Sequence, residues 1–72
     1  MKPKMKSVQS SDVAAIGYNA DAETLYVDFN DGSTYEYYGV PPDVYQSLLA
    51  APSKGRFVWT DLRDRYPYKK TS

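Results

Sequence analysis

Tyr35-Glu36-Tyr37-Tyr38-Gly39-Val40-Pro41-Pro42-Asp43-Val44-Tyr45 decides the fold of this 72-residue chain. An aromatic segment that alternates like a strand meets a glycine, and after two prolines the apolar spacing becomes that of a helix. Gly39 permits a sharp exit from the strand. Pro42 suits the first helical position, where its missing N–H costs nothing, and Asp43 suits the positive end of the helix dipole.

Upstream, Thr24-Leu25-Tyr26-Val27-Asp28-Phe29 alternates cleanly, and Asn30-Asp31-Gly32 separates it from Ser33-Thr34-Tyr35-Glu36-Tyr37-Tyr38. Two hairpin registers are possible, and a one-residue slip moves every side chain of one strand to the other face. A two-residue Asp31-Gly32 turn would set Glu36 beside Leu25, Val27 and Phe29. A three-residue loop with Gly32 in the left-handed region instead aligns Tyr35 and Tyr37 with those apolar residues. The second register keeps the carboxylate out of the core and is the one expected. It leaves Tyr26, Asp28, Thr34, Glu36 and Tyr38 on an outer face. A first strand, Val13-Ala14-Ala15-Ile16-Gly17-Tyr18, closes through the loop at Asn19 to Glu23.

Downstream, Val44, Tyr45, Leu48, Leu49 and Ala51 share one helical stripe, and Pro52 ends it. Ser53 is a good N-cap for a second helix in which Val58, Trp59, Leu62 and Tyr66 share a face, with Pro67 marking its end. The expected fold is α+β: a three-stranded antiparallel meander (13–18, 24–29, 33–38) packed on one face by two C-terminal helices (42–51, 54–65). Residues 1–10 read as a flexible basic arm, 11–67 as one domain and 68–72 as a mobile basic tail.

Composition narrows the chemistry. Eight Tyr, two Phe and one Trp supply large buried areas to a chain near the lower size limit. Without His or Cys there is no disulfide, thiolate zinc site or common transition-metal ligand set, and no partner to activate a Ser or Tyr nucleophile. Asp28 and Glu36 are exposed carboxylates without a cleft, and Asn30-Asp31-Gly32 lacks the further oxygens of a calcium loop. No catalytic residue, cofactor or metal is expected. The apolar runs are too short to span a bilayer and Met1 to Lys6 leads into no apolar h-region, so a cytoplasmic compartment is the expectation.

The ordered set Ser11, Ile16-Gly17-Tyr18, Leu25 to Phe29, Gly32, Tyr35-Glu36-Tyr37, Gly39-Val40-Pro41, Tyr45, Leu48-Leu49, Ala51, Ser53-Lys54-Gly55 and Leu62-Arg63 to Tyr66 resembles the KTSC domain. That family is named after the C-terminal segment of some lysyl-tRNA synthetases and includes small free-standing bacterial and phage-type members. The resemblance implies no catalytic residues, and through the synthetases it suggests RNA. Trp59 departs from the family pattern, which has a polar residue there, often Asn; Asp61 and Asp64 make the last helix less basic than is common.

Net charge is zero but segregated: residues 8–52 hold seven acids and no Lys or Arg, while both ends are basic. The main candidate interface is therefore the start and exposed side of the last helix. Ser53-Lys54-Gly55-Arg56 offers free backbone N–H groups and positive charge to a phosphate; the same residues also read as a plain cap, with Gly55 packed against Pro41 or the sheet. Trp59, flanked by Arg56 and Arg63, is either a stacking platform for a single-stranded base or the centre of the core. Arg65, Lys69 and Lys70 extend the basic track. The leading expectation is a small non-catalytic module that binds RNA or other nucleic acid weakly and salt-sensitively. The alternative is a protein-interaction adaptor using Tyr26, Asp28, Glu36 and Tyr38.

Overall fold

A computed structural model describes residues 3–72. The chain runs β1 (Lys6–Ser7), β2 (Val13–Asn19), β3 (Thr24–Phe29), β4 (Thr34–Tyr37), α1 (Pro42–Ala50), α2 (Lys54–Phe57), a π-helical turn (Val58–Leu62) that continues α2, and β5 (Tyr68–Lys70). All neighbouring strands are antiparallel, in the order β1-β2-β3-β4-β5.

The hairpin has the register that keeps Glu36 off the core. Leu25 pairs with Tyr37, Val27 with Tyr35 and Tyr26 with Glu36. The Phe29 N–H donates to the Ser33 carbonyl at 2.8 Å, closing a three-residue loop in which Gly32 has φ +92°. Gly39, at φ +71°, turns the chain out of the sheet, and Pro42 opens α1.

Among the described residues the sheet has five strands where the sequence predicted three. Both additions come from segments too short and polar to show a strand period. Tyr68 and Lys70 pair with Tyr37 and Tyr35, and the ladder is extended by Tyr38 N–H to Pro67 O (2.9 Å) and Thr71 N–H to Thr34 O (2.8 Å). Tyr68 explains the attachment of this expected tail: its ring centroid lies 5.8 Å from that of Tyr35 and 5.7 Å from that of Tyr37. At the other edge Lys6 and Ser7 pair with Ile16 and Ala15, and Val8 N–H donates to Ala14 O at 3.1 Å. Met1 and Lys2 of the expected basic arm lie outside the described residues.

An irregularity in β2 between Val13 and Ala15 lets Val13 and Ile16, an odd number of residues apart, both turn inward. The core comprises Val13, Ile16, Leu25, Val27, Tyr37, Val40, Leu48, Val58 and Leu62. Fully burying each aliphatic member is worth roughly 1.5–3 kcal/mol. The Tyr18 ring stacks on Tyr45 of α1 at 4.7 Å and its hydroxyl donates to Val40 O at 2.6 Å, fixing this helix over the sheet.

Candidate nucleic-acid interface

The second helix begins as expected: Ser53 Oγ accepts from Arg56 N–H at 3.3 Å. It then widens. Arg63 N–H donates to Val58 O at 2.9 Å, an i to i+5 bond that makes Val58–Leu62 a π turn. Val58 and Leu62 remain buried, but Trp59 is 65% exposed. This corrects the core reading of the lone tryptophan: the 3.6-residue spacing used to set it beside Val58 and Leu62 does not hold through a π turn. The Arg63 guanidinium lies over the indole, 4.1 Å from the ring centroid.

Trp59 and Arg63 form one rim of a cleft of about 750 Å³ whose walls include Phe29, Tyr35, Tyr37 and Tyr68. These rings pack on one another: Phe29 meets Tyr35 edge-on at 5.4 Å, and Tyr35 stacks with Tyr37 at 6.3 Å. Tyr37 is buried at 3% exposure, as its register requires, whereas Tyr35 is half-buried and serves both core and cleft. Burial pushes the Tyr37 hydroxyl up to about 12, the neighbouring Tyr35 and Tyr68 hydroxyls add to the effect, and Arg63 opposes it.

Asp12, Asn30, Asp31, Ser11 and Ser33 supply the polar lining. Asp31 Oδ1 accepts from Ser33 Oγ at 2.6 Å and Ser33 N–H at 2.9 Å. Those two bonds, the side-chain one foremost, hold its carboxyl below the usual carboxylate range, and Lys70 contributes in the same direction. The Asp12 side chain rests on Gly55 and supplies the three atoms nearest to where a Cβ would stand.

The expected anion-binding residues are thus divided. Gly55, Trp59 and Arg63 line the cleft. Arg56 is exposed one turn before Trp59. Ser53 is engaged in the cap, and Lys54 Nζ donates to Ala51 O at 2.9 Å. Arg65 lies apart, lining a shallow second depression with Val44, Phe57, Asp61 and Tyr66. With Asp12 against Gly55, the helix start is not a free phosphate cradle.

The alternative outer face is also changed. Tyr26 is only 7% exposed, not the surface contact expected. It sits opposite Gly17 in the β2–β3 ladder, and Pro3 and Met5 reach over Gly17 from the N-terminal segment. Asp28 accepts from Thr34 Oγ1 at 2.7 Å and Glu36 from the Tyr38 hydroxyl at 3.1 Å. Sequence reasoning missed Asp12, Phe29, Tyr35 and Tyr68 as cleft residues. Only the shared face of Phe29, Tyr35 and Tyr37 offered a signal for them.

The fold and cleft define a small α+β domain with an antiparallel meander and an aromatic recess between the sheet and the last helix. The KTSC domain model matches residues 9–66, and the chain belongs to this family. A crystal structure of a KTSC domain protein from Yersinia pestis superposes with a TM-score of 0.88 at 34% identity, covering 96% of this chain and 97% of that one. A protein from Tsukamurella paurometabola is 45% identical over 62 residues, which is 86% of this chain and 92% of that protein. A lysine–tRNA ligase of Nostoc punctiforme is 33% identical over 64 residues, 89% of this chain but 11% of the ligase. No helix among the described residues is long and apolar enough to cross a membrane.

Proposed function

We infer that this KTSC domain is a non-catalytic single-stranded nucleic-acid-binding module, RNA before DNA, that takes a base against the aromatic cleft. The observation that carries this reading is the exposed Trp59 ring, braced by Arg63 at the mouth of a recess lined by Phe29, Tyr35 and Tyr68. Stacking a base on such a ring is worth about 1–3 kcal/mol and tolerates any sequence. The relationship to part of a lysine–tRNA ligase favours RNA.

Asp12 and Asp31 make the recess unfavourable for phosphate, so the backbone stays outside it, where Arg63 borders the cleft, Arg56 is exposed on the same helix and Lys70 is exposed on the strand paired with Tyr35. Two or three phosphate contacts give a log–log salt slope of about −2 for a single strand. Binding is therefore weak and salt-sensitive. The test is a titration of labelled single-stranded RNA at two salt concentrations against wild type, Trp59→Ala and Arg56→Ala/Arg63→Ala. Affinity that falls with salt and in both variants supports the reading; no binding at low salt contradicts it.

A further inference from the structure

Resting on the reading of the cleft as a base site, we propose that it selects guanine, with Asp12 accepting from the guanine N1–H and N2 amino group while Arg63 faces O6 and N7. Two acidic side chains line the recess, and their hydrogen bonding separates their roles. Asp31 is held to its own loop by two bonds that its Oδ1 accepts from Ser33. Asp12 donates its backbone N–H to Ser10 Oγ at 3.2 Å, but no described protein donor bonds its carboxylate, which lies against Gly55 at the edge of the cleft.

A carboxylate is acceptor-only, and its two oxygens match two adjacent N–H donors. Among the four RNA bases in their neutral forms, guanine alone presents such a pair on its Watson–Crick edge. Uracil sets two carbonyl oxygens beside its one N–H, and adenine and cytosine each place a bare ring nitrogen next to the amino group. Each of those three leaves a carboxylate oxygen facing an acceptor. Arg63 adds the complementary preference, since a guanidinium pairs with guanine O6 and N7. Both groups line the same aromatic cleft, Arg63 resting over the Trp59 ring, so a base held there has an acceptor and a donor of opposite charge at its edges. A site that hydrogen-bonds a specific edge rejects analogues lacking it, because its polar groups are then left unpaired.

The experiment uses oligouridine heptamers carrying guanosine, inosine or uridine at the centre. Trp59, the single tryptophan, reports binding by fluorescence in the full chain, with anisotropy of an end label as a second readout. The guanosine heptamer is expected to bind about tenfold more tightly than the all-uridine one. Inosine, which keeps N1–H but lacks the amino group, falls between them. Asp12→Asn, an isosteric change, brings guanosine and uridine to within about twofold. Equal affinity for all three heptamers in the wild type, or a guanosine preference unchanged in Asp12→Asn, overturns the selectivity while leaving base binding intact. Absence of binding by every heptamer overturns both.

Discussion

The side chain of Asp12 lies so close to Gly55 that a methyl group placed on the glycine would come within 3.0 Å of Asp12 Cβ and Cγ. This contact joins the segment preceding β2 to the first turn of α2 and sets the acidic edge of the cleft. Gly55→Ala should cost about 1–3 kcal/mol through overpacking. Combining it with Asp12→Ala should recover part of that loss, because the carboxyl group no longer crowds the new methyl while the Cβ of residue 12 still does. Thermal or urea unfolding of the two single variants and the double variant measures the coupling. Additive effects would show that the contact does not govern the packing of this helix.

A second prediction concerns alkaline pH. The folded-state pKa of Tyr37 is raised to about 12 from the ordinary value near 10, chiefly by burial. Its contribution to stability is fully present below the unfolded value of about 10. Above that pH the unfolded chain ionises while the folded chain keeps its proton, so stability falls as pH rises towards 12. Urea unfolding between pH 8 and 12 should give a flat region followed by a decline, and Tyr37→Phe should make the decline shallower.

The N-terminal segment is a strap whose seat is Gly17. A Cβ at that position would lie 2.5 Å from Met5 Sδ and 3.1 Å from Pro3 Cγ. Valine suits a strand, so Gly17→Val should leave the sheet folded and lift the strap. In hydrogen exchange the Val8 amide, bonded to Ala14 O, should lose protection by at least about tenfold. The Val27 amide in the central strand should be unchanged. Equal loss at both positions would mean that the substitution unfolds the domain.

Tyr68 ties the last strand to the cleft. Tyr68→Ala removes a ring packed on both Tyr35 and Tyr37 and should cost about 1–2 kcal/mol, as aromatic pairs contribute roughly 0.5–1.5 kcal/mol each beyond burial. The Thr71 amide, bonded to Thr34 O, should exchange faster. Retained protection there would show that the backbone ladder holds β5 without the ring.

The legible and illegible parts of this fold separate on physical grounds. The register of Val27 against Tyr35 could be read because period-two alternation and the Gly32 turn act together, and only one register hides Glu36 from the core. Pro42 and Ser53 mark helix starts through local chemistry alone. The strand at Tyr68–Lys70 is three residues long, with two lysines, and its reason for joining the sheet is a long-range ring contact. Trp59 stands at the edge of the Val58–Leu62 stripe, and the π turn closed by Arg63 N–H to Val58 O, which no periodicity announces, carries it further outward. Burial of Tyr26 required knowing that Pro3 and Met5 return over Gly17. In the candidate site, the residues on the helix were named in advance and their division was not: Arg65 faces the second depression and Lys54 is tied to Ala51. Asp12 belongs to the site through its long-range contact with Gly55, which no local pattern encodes.

If Trp59 and the rings beside it form the base site, nucleic acid engages the cleft and not the outer sheet face. Mapping NMR shifts of the 15N-labelled chain on addition of a single-stranded RNA heptamer at low salt tests it most directly. The Trp59 indole N–H and the Tyr35, Arg63 and Tyr68 amides are expected to move, with Tyr26, Glu36 and Tyr38 unmoved. Shifts confined to Tyr26, Glu36 and Tyr38, or none at all, would contradict it.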